Sequence, residues 1–227
     1  REYLNENAQR RMAVIDPLKI VLENYEEGRI EKLEAENSPK SESFGKRNLT
    51  FSREIYIDRE DFMENPPKKF FRLSPGSEVR LRYAYLIRCK EVVKDTEGKI
   101  LELRCTYDPE TKGGNAPDGR KVKGIVHWVS SHDAINAEIR FYSKLFNTEQ
   151  PGKSSELVHD LNRESILVHK NCKLEPSLLA FDCEETVQFE RLGYFCKDTD
   201  SSQINPIFNR TIELRDTWSK LKPSKVS

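Results

Sequence analysis

Across residues 79–87 apolar and aromatic side chains fall at every second position: Val79, Leu81, Tyr83, Tyr85 and Ile87. Arg80, Arg82, Ala84 and Leu86 stand between them. A helix cannot use a period of two. An extended strand can, sending one set to a core and the other to the opposite face. Arg80 and Arg82 then stand side by side on that second face. Lys68, Lys69 and Arg72, with Phe70 and Phe71 among them, fold back beside it through the Ser74-Pro75-Gly76 turn. Cations interleaved with aromatic rings suit a polyanion whose bases can stack, namely single-stranded or loop RNA. The competing reading is a solvated strand face with ordinary charges.

Similar short extended stretches recur at residues 12–15, 18–23, 51–57, 100–107, 125–130, 138–146, 166–169, 186–191, 194–197 and 207–214. Residues 91–94 and 100–107 flank a Thr96-Glu97-Gly98 turn and read as a hairpin. Helical pattern is confined to residues 1–11, a turn at 59–63 and a short helix at 154–161. Many short strands with few helices predict an all-β chain built of barrels rather than a doubly wound sheet. The expected organisation has four parts. Residues 1–24 form a connector with the first barrel strands, and 25–50 a polar surface loop or partly disordered excursion. Residues 51–150 form one barrel, and 151–227, after the Pro151-Gly152 break, a second whose last strands return toward the first lobe.

Net charge carries no signal, because 38 Lys and Arg balance 38 Asp and Glu. The distribution does. Residues 68–104 hold ten cations against five carboxylates, whereas residues 156–200 hold five against ten. One basic stretch in a neutral chain points to a localised phosphate-binding face rather than general coating of nucleic acid. The five cysteines lack CxxC spacing, which argues against a disulfide framework or zinc module and for a reducing cytosol. No apolar run is long enough for a membrane span, and no signal peptide is visible. Arg1 stands where an initiator Met would, so the chain reads as a piece of a longer polypeptide.

Three constellations could carry chemistry. His127 and His132 suggest a general base or metal pair, but no carboxylate or Cys is spaced to complete a ligand set, so a satisfied structural histidine is the better reading. Arg120, Lys121 and Lys123 lie between Gly119 and Gly124, where they could clamp phosphates or decorate a solvated hairpin tip. Gln188 and Glu190 alternate onto one face of a late strand, where an amide and a carboxylate can read a base edge; a plain polar face is the alternative. The P-loop pattern and any Ser/His/Asp or Cys/His motif are absent from the sequence.

Longer runs carry a resemblance: LNENAQRRMAVIDPLK, GSEVRLRYAY, CTYDPET, DGRKVKGIVHWVS, EIRFYSKLF, FERLGYFC and FNRTIELRDTW. They make the chain resemble, nearly end to end, the C-terminal anticodon-binding region of the glutaminyl-tRNA synthetases. The related glutamyl-tRNA synthetases share the architecture in looser form, and a free-standing β-barrel interaction module is a further alternative. The resemblance implies two β-barrels that splay the anticodon of a glutamine tRNA into separate pockets. It implies that Arg10, Gln188, Glu190 and Arg191 hold the middle base, and that Arg80 and Arg82 hold the first. Arg72, Lys68 and Lys69 would serve the third base and nearby phosphates. Lys69 stands where the family leads one to expect glutamine, and Phe71 where it leads one to expect lysine, so Phe71 would stack in an altered third pocket. The resemblance places ATP, with Mg, and aminoacylation in a catalytic domain of the parent polypeptide, whose signatures these residues lack. The piece itself would need no cofactor or metal and act as a monomer, binding no DNA or membrane. Residues 1–19 would couple anticodon occupancy to that domain.

Overall fold

The computed structural model describes residues 1–114, 116–153 and 156–214. Its seven-stranded first sheet runs, in spatial order, Ile125–Val126, Glu78–Leu81, Leu86–Lys94, Ile100–Asp108, Pro17–Leu22, Glu54–Asp58 and Val129–Ser130. The two edge strands are neighbours in sequence, separated only by His127 and Trp128. The sheet therefore curls into a nearly closed barrel, which removes exposed edges. Its interior holds Leu18, Ile20, Val79, Leu81 and Leu103, all fully buried. Beside these, Tyr25, Tyr85, Tyr107 and Trp128 surround Phe51 with ring centroids 5.1–6.4 Å apart.

The second seven-stranded sheet runs Arg10–Arg11, Thr186–Phe189, Gly193–Lys197, Ile207–Glu213, Ile135–Tyr142, Ile166–Leu174 and Ala13–Val14. It is a half-barrel over Ile139, Leu174, Phe189, Phe195 and Phe208. Phe189 and Phe195 stack with centroids 4.2 Å apart. Its edge strands, too, are separated by one residue, Met12. The chain enters the second sheet at Arg10, leaves after Val14 to build the whole first barrel, and returns at Ile135. The lobes are thus laced together rather than strung in series.

The all-β expectation and the short N-terminal helix, Glu2–Asn7, match the structure. Several details differ. The helix ends at Asn7, and Arg10–Arg11 is a strand that pairs with Thr186–Phe189. The expected polar excursion at 25–50 contains an antiparallel hairpin, Glu31–Glu36 with Lys46–Phe51. Charges on four of the six residues in its first strand mask an alternation that buries Leu33 and Ala35 and exposes Lys32, Glu34 and Glu36. Ile135–Tyr142, expected in the first barrel, pairs with Ile166–Leu174 and Ile207–Glu213 in the second sheet. The change of sheet therefore falls between Ser130 and Ile135, well before Pro151. The expected helix at 154–161 is one 3-10 turn, Leu157–Asp160, and Ser154 lies outside the described residues.

The most consequential difference lies at 79–87. The strand stops at Leu81, Tyr83 adopts φ 63° and Ala84 N–H donates to Leu81 O at 2.9 Å. The chain turns back into Leu86–Lys94, so the stretch is a hairpin rather than one strand. Its buried set, Val79, Leu81, Tyr85 and Ile87, keeps the expected spacing only because a two-fold alternation survives a tight reversal.

Candidate nucleic-acid interface

The strand Thr186–Phe189 is the spine of the site. Arg10 lies opposite Gln188 in a parallel pair, with Gln188 N–H donating to Gln9 O and Glu190 N–H to Arg11 O, both at 2.8 Å. Neighbours in register share a face, so Arg10 and Gln188 lie side by side. The Arg10 guanidinium donates through Nη2 to Asn5 Oδ1 at 3.1 Å. Its Nε and Gln188 Oε1 are buried with no hydrogen-bond partner among the described residues. Gln188 is 5% exposed and Glu190 3%. Tyr194 faces Gln188 from the next strand, and burial raises its phenol pKa against the opposing pull of Arg10.

Arg82 comes to this spine from the first barrel. Its Nε lies 3.0 Å from Glu190 Oε1, and its guanidinium carbon lies 5.0 Å from the Tyr83 ring centre. Trp128 Nε1–H donates to Arg82 O at 2.9 Å, anchoring the turn to the core. Arg191, left-handed at φ 68°, forks onto Asp61 at 2.8 and 2.7 Å. Arg72 joins the same carboxylate at 3.2 Å. His127 is fully buried with Nε2 2.8 Å from Asp58 Oδ2, the structural histidine anticipated from sequence. His132 stays on the surface of the first lobe, its N–H donating to Ser130 Oγ at 3.2 Å.

Arg80 and Arg82 do not stand side by side. Because the strand ends at Leu81, Arg82 swings into the turn toward Glu190. Arg80 instead donates to three carbonyls, those of Ala84 at 3.2 Å, Thr111 at 2.9 Å and Gly114. Burial lowers the Arg80 pKa. Lys121 and Lys123 line a surface cavity of about 420 Å3 together with Arg80. They also line one of about 430 Å3 with Phe71 and Arg72. Phe71 is 48% exposed, and Lys123 Nζ lies 5.3 Å from its ring centre. Lys68 and Lys69 are exposed just upstream. Arg120 differs from its neighbours, since its guanidinium pairs with Glu78 at 3.0 Å, Asp118 at 2.6 Å and Asp108. It clasps the loop rather than presenting a bare cation to phosphate.

The residues thus form one tract. Lys121 and Lys123 link the Arg80 cavity to that of Phe71 and Arg72; Asp61 joins Arg72 to Arg191; and Glu190, next to Arg191 in the chain, pairs with Arg82, while Gln188 stands opposite Arg10. Asp61 and Tyr83 were not legible as site residues in the sequence, because an acidic turn and one more aromatic in an alternating run carry no distinguishing mark.

Fork-shaped cations from two laced β lobes thus gather around a buried amide and a buried carboxylate. Two family models, both described as the anti-codon binding domain of class I tRNA synthetases (E and Q), match residues 8–108 and 125–198. The chain belongs to that family. It is 59% identical over 97% of its length to the glutamine–tRNA ligase of Nitrobacter winogradskyi. It is 56% identical to that of Bradyrhizobium diazoefficiens over 97% of its length, and 51% identical to that of Vibrio campbellii over 98%. The matches cover 39–40% of the relatives' own length, so the chain spans about two-fifths of the proteins it resembles.

Proposed function

We propose that this chain is the part of a glutamine–tRNA ligase that selects its tRNA by reading the anticodon of tRNA(Gln). Attachment of glutamine, driven by ATP with Mg, belongs on this reading to a catalytic domain of the same polypeptide. The observation that carries the reading is the pair of unpartnered buried groups, Arg10 Nε–H and Gln188 Oε1, on facing strand positions. Leaving such groups unpaired costs about 1–3 kcal/mol each, a cost that a ligand supplying the partner recovers. By the genetic code the middle base of a glutamine anticodon is uracil, whose edge offers one N–H between two carbonyl oxygens. That N–H suits Gln188 Oε1, and an adjacent carbonyl suits Arg10 Nε–H. Glu190 and Arg191 flank this pocket.

Arg82, held by Glu190, serves the first base, with Arg80 bracing the neighbouring loop. Arg72 serves the third base, with Phe71 as a stacking platform and Lys68, Lys69, Lys121 and Lys123 on phosphates. Selectivity then rests on a few guanidiniums in pockets, each worth about 1–3 kcal/mol by analogy with base readout in DNA. On this reading residues 1–19 relay anticodon occupancy to that catalytic domain. The test compares binding to a stem-loop with a glutamine anticodon and to one whose middle uracil is changed to cytosine. The native loop should bind about 10- to 100-fold more tightly; equal affinities would sink the reading.

A further inference from the structure

Asp61 is a carboxylate in an unusual place: 1% exposed, in the 3-10 turn Arg59–Asp61 of the first lobe, and shared by guanidiniums from both lobes. Arg191 of the second lobe takes both of its oxygens, and Arg72 of the first approaches Oδ1 through Nε at 3.2 Å. Arg72 also donates to Glu60 O at 3.2 Å. The turn is itself fixed, since Leu73 N–H donates to Asp61 O at 2.9 Å and Phe62 bridges to Leu73. Among the described residues Arg191 is one of two non-glycine residues with positive φ, a conformation that persists only where its surroundings hold it. The two-pronged grip of Asp61 is such a hold.

Resting on the anticodon reading above, we infer that Asp61 is a positioning residue through which the third-base and middle-base pockets are read as a unit. The argument is electrostatic. Two guanidiniums brought onto one carboxylate repel each other, and a single buried negative charge offsets that repulsion. Neither arginine can shift toward or away from RNA without changing how strongly Asp61 holds the other. A wrong third base displaces Arg72, redistributes the Asp61 charge and moves Arg191, so the middle pocket has already lost part of its fit. A second wrong base then costs less than it would alone.

The test is a double-change cycle on the full 227-residue chain. It uses four stem-loops: the glutamine anticodon, the middle base changed, the third base changed, and both changed. In the native protein the combined loss should fall short of the product of the single losses by about three- to ten-fold, the range of coupling between contacting groups. In Asp61→Asn, which keeps the shape but removes the charge, the losses should multiply to within about twofold. Arg191→Gln removes the cation that shares Asp61 with Arg72. It should abolish the shortfall likewise, and it carries the test should Asp61→Asn fail to fold. A native chain whose losses simply multiply, or a foldable variant that keeps the shortfall, overturns the role of Asp61 alone. A native chain with no base dependence overturns the anticodon reading beneath it.

Discussion

Arg47 and Glu175 form a buried, two-pronged ion pair between the Lys46–Phe51 strand and the second lobe, with Nε 2.6 Å from Oε2 and Nη2 2.7 Å from Oε1. Glu175 also accepts the Met12 N–H at 2.6 Å, at the residue where the chain crosses between the edges of the second sheet. One carboxylate therefore joins the hairpin, the crossing segment and the second lobe. This buried pair pins the two lobes together, as Arg191–Asp61 and Arg82–Glu190 do elsewhere along their contact.

Arg47→Ala should destabilise the chain by about 3–5 kcal/mol, because Glu175 is left as a buried charge with only a backbone and a hydroxyl donor. Denaturant unfolding checks this. A loss below about 1 kcal/mol, the size of a surface pair, would contradict the buried assignment.

Asp58 should make stability fall in acid. Burial pushes its carboxyl pKa up, but the hydrogen bond and charge of His127 and the N–H groups of Asp16 and Ile15 outweigh this and hold it below the ordinary value. A depressed folded pKa gives stability that is fully present above the unfolded value, about 3.9, and lost as pH falls through the folded one. Thermal midpoints measured from pH 6 down to about pH 2 should drop below about pH 4. Asp58→Asn should be less stable at neutral pH by about 1.5–3 kcal/mol and show a shallower acid decline.

Gln188→Leu should separate binding from stability. Its Oε1 has no hydrogen-bond partner among the described residues, so removing the amide should leave unfolding free energy within about 1 kcal/mol of native or raise it. Affinity for the glutamine anticodon loop should fall about 10- to 100-fold. Equal losses in both measurements would mean that the amide serves packing rather than recognition.

Gly124→Ala tests the stacking platform. A methyl group at Gly124 would overlap the carbonyl oxygen of Phe71, which is backbone and cannot rotate away. The 67–73 segment must then shift, at a cost of about 1–3 kcal/mol, and carry Phe71 and Arg72 with it. Third-base discrimination should weaken more than middle-base discrimination; the reverse order would place Phe71 elsewhere in the interface.

Lys121→Ala should weaken RNA binding by a similar factor for every anticodon and lower the slope of log affinity against log salt by about 0.7 to 1, as expected for a lost phosphate contact. Arg120→Ala should instead act mainly on loop order, because its guanidinium already pairs with three carboxylates. An unchanged salt slope for Lys121→Ala would remove that residue from the phosphate-binding set.

Local pattern carried much of the fold into view. Alternation marked the Ile100–Asp108 and Thr186–Phe189 strands, and Gly and Pro marked most turns. It failed where charge hid it, as at Leu33 and Ala35, and where a reversal preserved the spacing, as at Tyr83. Within the site, Gln188 and Glu190 were visible as neighbours on one strand face. The separation of Arg80 from Arg82 was not, because it depends on one left-handed residue.

By itself the sequence determined that this chain is all-β, that its cations concentrate in one stretch, and which side chains are chemically suited to grip RNA. These are properties of windows a few residues wide, where backbone geometry and solvation act directly. Tertiary structure decided which of those side chains meet. Arg10 reaches Gln188, and Arg72 shares Asp61 with Arg191, only through pairings between strands far apart in the chain. The register of such pairings is set by the packing of whole sheets, which no local stretch of residues contains.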